Sequence, residues 1–399
     1  MSVRDELDST IDRLFPRALG VGVLALGVCV VSGVFDPAQF FRSYLFAYLF
    51  WFGIALGSLA VLMVHHITGG AWGFIIRRFL EAAAMTLPLM ALLFLPILFG
   101  LHSIYDWSHP DVIAAESVLQ HKSHFFLNVS WFIVRAIVYF ILWIALARVL
   151  RQSSLEQDKT GAPALTRRLQ HLCGPGLVLY VLTVSLAAID WIMSLEPKWF
   201  STIFGMIIIC GQALSAIAAM IVAAVWLAGG KLLSDLVEPE KLRDLGHILH
   251  AFMLLWTYMA FSQYLIIWSG DLANEAVFYV HRSQGGWQWV SLFIVVFHFF
   301  VPLTLLIFSG IKRNPRLLAG VATILLFAHL VDNFWLVQPT FYDSALRVHW
   351  MDILLPVGLG GLWIAAFIRQ LRGHALIPFR DPRLAGEFIR KGDAGTWLT

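Results

Sequence analysis

Acids, imidazoles and one guanidinium fall within or at the ends of long apolar stretches of this chain. They are His65, His66, Glu81, Arg135, Asp190, His247, His250, His298, His329 and Asp332. A charge at the centre of a membrane span costs about 2.5–3.5 kcal/mol on insertion scales, so such groups mark proton relays and ion paths more often than plain structure. His329 and Asp332 are spaced to share a helical face, as are His247 and His250. The chemistry that suits them is stepwise proton transfer. A helix rises about 1.5 Å per residue, which puts Arg135 and His298 about 16 Å down, near the midplane. By the same rise, Asp190 and Asp332 lie about 6 Å below the outer surface and His329 about 10 Å below it. His250 lies about 9 Å from the inner surface, with His65, His66, Glu81 and His247 nearer to it. These depths predict two half-channels. The inner one holds His65, His66, Glu81, His247 and His250, the outer one Asp190, His329 and Asp332, and Arg135 and His298 sit between them.

The stretch from Ala188 to Phe200 concentrates unusual residues. Asp190 lies about a turn inside the end of an apolar run, Trp191 and Trp199 are placed as interfacial anchors would be, and Pro197 is expected to end the helix. This reads as a polar mouth where protons or a quinol headgroup meet the bundle. Asp190, Trp191, Trp256, Tyr258 and Tyr264 are the side chains that could pack on and hydrogen-bond a quinone ring, although aromatics at helical spacing also serve as packing and interface belts. His121 and His124 have the spacing to share a metal, but no third ligand stands at a matching spacing, so no metal site is assigned.

These residues need a frame of membrane spans. The chain has 399 residues, 59% hydrophobic and 13% charged. Soluble domains carry about twice that share of charge, so the expected class is an all-α polytopic membrane protein. Apolar runs long enough to cross a bilayer, about 17–25 residues, occur near 18–35, 43–67, 79–101, 124–150, 173–194, 200–229, 244–268, 287–310, 316–336 and 349–371. No small-residue cleavage site follows the first, which is read as a retained span rather than a signal peptide. Ten crossings leave a 1–17 segment, an 18–371 membrane domain and a polar 372–399 tail, with both ends on one side.

The cations say which side. Arg4, Arg13, Arg17, Arg77, Arg78, Arg148, Arg151, Lys159, Arg167, Arg168, Lys231, Lys241, Arg243, Lys312, Arg313 and Arg316 fall on the side of the N-terminus, with the tail's Arg369, Arg372, Arg380, Arg383, Arg390 and Lys391. Only Arg42, Lys122, Lys198, Arg282 and Arg347 fall opposite. That bias predicts that both termini are cytoplasmic. The net charge of +3 is too small and too dispersed to suggest nucleic acid. Arg151 to Arg168 reads as a flexible loop broken by Gly161 and Pro163, and Asp111 to Leu119 as a short surface helix in the longest outer loop. Gly53 and Gly57 have the spacing that lets two helices approach closely. Cys29, Cys173 and Cys210 form no C-x-x-C pair and read as buried structural thiols.

Several stretches resemble the second NrfD/PsrC-like membrane subunit of bacterial alternative complex III, a quinol:electron-acceptor oxidoreductase. They are His121 to Asn128 running on to Arg135, Ala188 to Thr202, Trp256 to Trp268, Phe299 to Pro302, Lys312 to Pro315 and Ile377 to Leu384. The Asp190-Trp191 and Phe261-Ser262-Gln263-Tyr264 parts are the most specific. The resemblance implies two four-helix bundles, spans two to five (about 43–194) and six to nine (about 200–336), with the first and last spans peripheral. It implies partners: a sister NrfD-like subunit, an iron–sulfur subunit resembling molybdopterin enzymes, c-type cytochrome subunits, and a terminal oxidase as a further one. It also implies a chain of the bacterial cytoplasmic (inner) membrane, without covalent or redox cofactors, that helps conduct protons, with menaquinol or ubiquinol as the quinol of the complex.

Three other readings stay open at this stage. The quinol site could lie in this chain, whether in that complex or as the anchor of a molybdopterin-type oxidoreductase. A b-haem would need His250 with His298 or His329, which lie at unequal depths. A secondary transporter would show paired broken helices at the midplane, and Pro88, Pro96 and Pro302 form no such pair.

Overall fold

The structure is a computed structural model and describes residues 3–227, 239–342, 345–374, 376, 381 and 383. Lys231, Arg380, Arg390, Lys391, most of the Ile377 to Leu384 stretch and most of the 372–399 tail lie outside the described residues.

The fold is all-α, with no strand among the described residues. Ten helices there are long and apolar enough to cross a membrane, making this a polytopic membrane protein. We number them α1 (Val3–Gly33), α2 (Pro37–Thr68), α3 (Trp72–Phe99), α4 (Val129–Thr160), α5 (Pro163–Trp191), α6 (Phe204–Leu227), α7 (Pro239–Gly270), α8 (Trp287–Ile307), α9 (Pro315–Val337) and α10 (Trp350–Leu371). Both described chain ends lie at one end of the bundle, where Arg372 pairs with Asp12 at 3.1 Å. We call this the terminal end and the other the far end.

Helices α2, α3, α4 and α5 pack as one ring of four, and α6, α7, α8 and α9 as a second. The rings meet mainly along α2 and α6. Gly57 makes that seam possible, because a Cβ there would overlap the carbonyl oxygen of Gln212. Helix α10 lies against α2 and α3, and α1 lies outermost on α10. Gly22, Gly358 and Gly361 let those two backbones touch.

Sequence-based boundaries shift in two places. Arg151 to Arg168 is no flexible loop: α4 runs to Thr160 and α5 starts at Pro163, with Gly161 at φ 63 capping the turn between them. Polar residues hid the helix because both extensions lie beyond the apolar span. The outer loop carries two short helices, Pro110–Ala115 and Ser117–Phe125, and α4 begins only after Asn128, whose side chain caps it. Arg135 is therefore six residues into its helix, about 9 Å by helical rise, rather than near the midplane.

Candidate functional site

The buried ionisable groups form three separate clusters. The first lies in the first bundle, at the far end. Arg135 of α4 grips Asp190 of α5 through Nε to Oδ2 at 2.9 Å and Nη2 to Oδ1 at 2.7 Å. Tyr139 donates to the same carboxylate at 3.0 Å, and Arg135 also donates to the Phe126 carbonyl at 2.9 Å while its guanidinium covers the Phe126 ring. Asp190 is fully buried and fully engaged. It is no polar mouth.

Trp191 and Trp199 are likewise not interfacial anchors. Trp191 packs among Phe52, Phe94, Phe140 and Trp143, and Trp199 stacks on Phe278 at 4.2 Å. Helix α5 ends at Trp191, ahead of a short 3₁₀ turn, so Pro197 does not terminate it. The aromatic cluster around Trp191 packs the core between Asp190 and the other end of the first bundle.

The second cluster is at the terminal end of the first bundle. Glu81, His65 and His66 do not snorkel to solvent but are buried. Glu81 accepts from Arg77 Nε at 3.0 Å and from Arg78 Nη1 at 2.6 Å. Arg77 also donates to Asp381 at 2.6 Å, Ser154 at 2.8 Å and Gln157 at 3.0 Å, and Arg78 pairs with Asp158. Burial alone would raise the Asp381 carboxyl, but hydrogen bonds from Arg383 and the charges of Arg383 and Arg77 hold it below the ordinary carboxylate range. Arg77 and Arg78 read in sequence as loop charges that set topology; buried, they carry this network instead.

The third cluster runs along the second bundle. At the terminal end Lys312, on the α8–α9 connection, lies 3.1 Å from His247 Nδ1. Burial, and then the charge of Arg243, lower the Lys312 ammonium below the ordinary lysine range. His250 follows on α7, with its Nε2 buried and unpartnered.

His298 of α8 is fully buried, its ring 4.0 Å from that of Trp256 and 5.8 Å from that of His329. His329 Nδ1 lies 3.7 Å from Asp332 Oδ2. Gly211 of α6 leaves the room for this, since a Cβ there would stand 3.0 Å from His329 Cε1. The backbone at His298 is a π-helical turn, Val295–Phe300. The cause is Pro302, which cannot donate to the carbonyl four residues back, that of His298. The ladder widens instead, with Val301 N donating to Val296 O.

His329 and Asp332 form part of the wall of a cavity of about 1060 Å³ in the far half of the second bundle. Helix α7 packs on α8 along Val295–Ile307 rather than along Trp287–Ile294, and the space lies between them. Trp256, Tyr258 and Tyr264 line it, whereas Asp190 and Trp191 do not. Its polar edge also includes Asn333, Gln263 and Tyr279, and Gln263 donates to the Tyr279 hydroxyl at 2.9 Å. Burial pushes Tyr279 up to about 12.

Arg282 closes the far end. It pairs with Glu196 at 2.7 Å and donates to the Trp335 and Leu336 carbonyls at 3.1 and 2.9 Å. Its partners could not be read from sequence, where it looks like a loop cation.

The predicted convergence of Arg135 with His298, His329 and Asp332 is thus not what the packing gives. Arg135 belongs to Asp190 in one bundle; the two histidines and Asp332 belong to the other. His121 and His124 fall at the end of a surface helix, and no group of three metal-ligating side chains forms among the described residues. All three cysteines are buried and free.

Compared with known proteins, the sequence matches no protein-family model and no curated protein.

Proposed function

We propose that this chain is the proton-handling membrane subunit of a quinol:electron-acceptor oxidoreductase of the alternative complex III type, without a redox cofactor of its own. The observation that carries the proton part is the alignment of Lys312, His247, His250, His298, His329 and Asp332 in one bundle, from the terminal end to the cavity wall. Both ring nitrogens of His298 are buried without a protein partner, which is how a group that works through bound water is left. His250 and Trp256, against which His298 packs, are about 9 Å apart along α7, a gap for water rather than for direct transfer. The first bundle offers no matching route, because aromatic packing separates its two ionic clusters.

The oxidoreductase part rests on the sequence resemblance. Purifying the assembly that contains this chain tests it: a sister polytopic subunit with iron–sulfur and c-type cytochrome subunits is the expected composition. A chain that purifies alone, with no redox partner, would contradict it.

A second reading is favoured by the cavity. Its size, its apolar walls and its polar edge of His329, Asp332, Gln263 and Tyr279 suit a ring with oxygen substituents and an apolar tail. A photoreactive quinone analogue should then label α7 around Tyr258 to Tyr264. Labelling confined to a partner subunit would count against a quinol site here.

A further inference from the structure

The cavity of the second bundle has a polar end with a direction built into it. Ser201 Oγ donates to Gln263 Oε1 at 2.7 Å, and Gln263 Nε2 donates to the Tyr279 hydroxyl at 2.9 Å. Tyr279 is the acceptor at the end of that chain, which leaves its own proton to give. Burial pushes the phenol up to about 12, so the proton stays on the oxygen. With one lone pair engaged and its O–H uncommitted, Tyr279 faces the cavity as a hydrogen-bond donor.

Trp335 stands beside that donor in the cavity wall. Its Nε1 donates to Ser291 Oγ at 2.7 Å, its carbonyl accepts from Arg282 at 3.1 Å, and its ring meets Phe278 edge-on, so the indole is held in place. Asp332 precedes it by three residues on α9, about 4.5 Å by helical rise toward the terminal end. The Tyr279 ring, on the far-end helix Ala273–His281, is 6.5 Å from it. The wall therefore offers a fixed aromatic face with His329 and Asp332 at one edge and a donor hydroxyl at the other.

We propose that Trp335 and Tyr279 select the ligand of this cavity: a planar ring stacks on Trp335, Tyr279 donates to an oxygen at one end of it, and the oxygen at the opposite end meets His329 and Asp332. This rests on the reading of the cavity as a quinol site, and adds the residues that recognise the ring and the way round it sits. The requirement is an oxygen at each end of an aromatic ring. An apolar tail alone, such as an acyl chain, does not meet it.

The test is displacement of a photoreactive, alkyl-tailed 1,4-naphthoquinone, at trace concentration, from the full chain in detergent. Two competitors are compared, the same alkylated ring with both oxygens and with neither. In the native chain the dioxygenated ring should displace the probe at a concentration about tenfold or more lower. Tyr279→Phe should cut that advantage several-fold and leave the oxygen-free competitor unchanged. Gln263→Glu, which turns the Tyr279 proton back onto a protein acceptor, should do the same. An advantage that survives Tyr279→Phe would overturn the proposal. Equal weakening of both competitors would also overturn it, because Tyr279 would then only shape the cavity. A native chain with no label on α7 would instead bring down the quinol reading itself, and the proposal with it.

Discussion

His329 Nδ1 stands 3.7 Å from the carboxylate of Asp332, one turn along α9, and both side chains are buried at the wall of the same cavity. At that separation the pair is close but not hydrogen-bonded, and His329 Nδ1 has no other hydrogen-bond partner, so the pair keeps its capacity to take up or pass on a proton. Asp190 is the contrast, with its oxygens taken by Arg135 and Tyr139. One acid is poised and the other is spent.

Arg135 and Asp190 are expected to behave as a structural unit. Removing either partner strands a buried charge and should cost about 3–5 kcal/mol, whereas replacing both together should cost much less. Unfolding of Arg135→Gln, Asp190→Asn and the double variant gives the comparison. Additive losses in the double variant would argue against the pairing.

The π-turn makes a sharper demand. Pro302→Ala restores the missing donor to the His298 carbonyl, so the turn should relax toward α-helix and rotate His298 away from His329. Proton movement should fall several-fold, while thermal stability holds or rises. An unchanged rate would mean that the orientation of His298 is immaterial.

At the seam between bundles, Gly57→Ala puts a methyl group into the Gln212 backbone. Overpacking of this kind costs about 1–3 kcal/mol. A lowered melting temperature, read by exposure of the buried cysteines, is the expected result.

Asp381 gives a pH dependence with a defined sign. Its folded-state pKa is held low, so its contribution to stability is fully present above the unfolded value of about 3.9 and is lost as pH falls through the folded one. The stability gap between the native chain and Asp381→Asn should be flat from about pH 5 to 8 and close in stronger acid. A gap that narrows near neutrality would contradict the assignment.

Much of the architecture could be read from the sequence, because hydropathy alone marks ten spans and small residues mark where they approach. The ionisable residues were also visible as outliers in apolar runs. Their partners were not. Arg135 and Asp190 meet from different helices, and nothing local in either stretch announces the other. Arg77 and Arg78 sit where topology-setting cations are expected, and only the polar extension of α4, bringing Ser154, Gln157 and Asp158, shows that they are buried. Trp191 followed an acid at a span end and so resembled a belt residue, whereas five aromatic side chains enclose it. Arg135 lies shallower than its apolar run implies, because that run starts at 124, in the last residues of a separate surface helix, whereas α4 starts at Val129.

The two bundles make opposite demands on where protons cross. The direct measurement is quinol-driven proton movement in vesicles containing the native assembly, with an internal pH dye. His298→Gln and Asp332→Asn should each reduce it at least about tenfold, a loss equal to roughly 1.4 kcal/mol or more in the barrier, while the Arg135→Gln/Asp190→Asn double variant keeps it near the native rate. Loss of proton movement in the Arg135/Asp190 variant, with the His298 and Asp332 variants unaffected, would place the path in the other bundle and contradict the account.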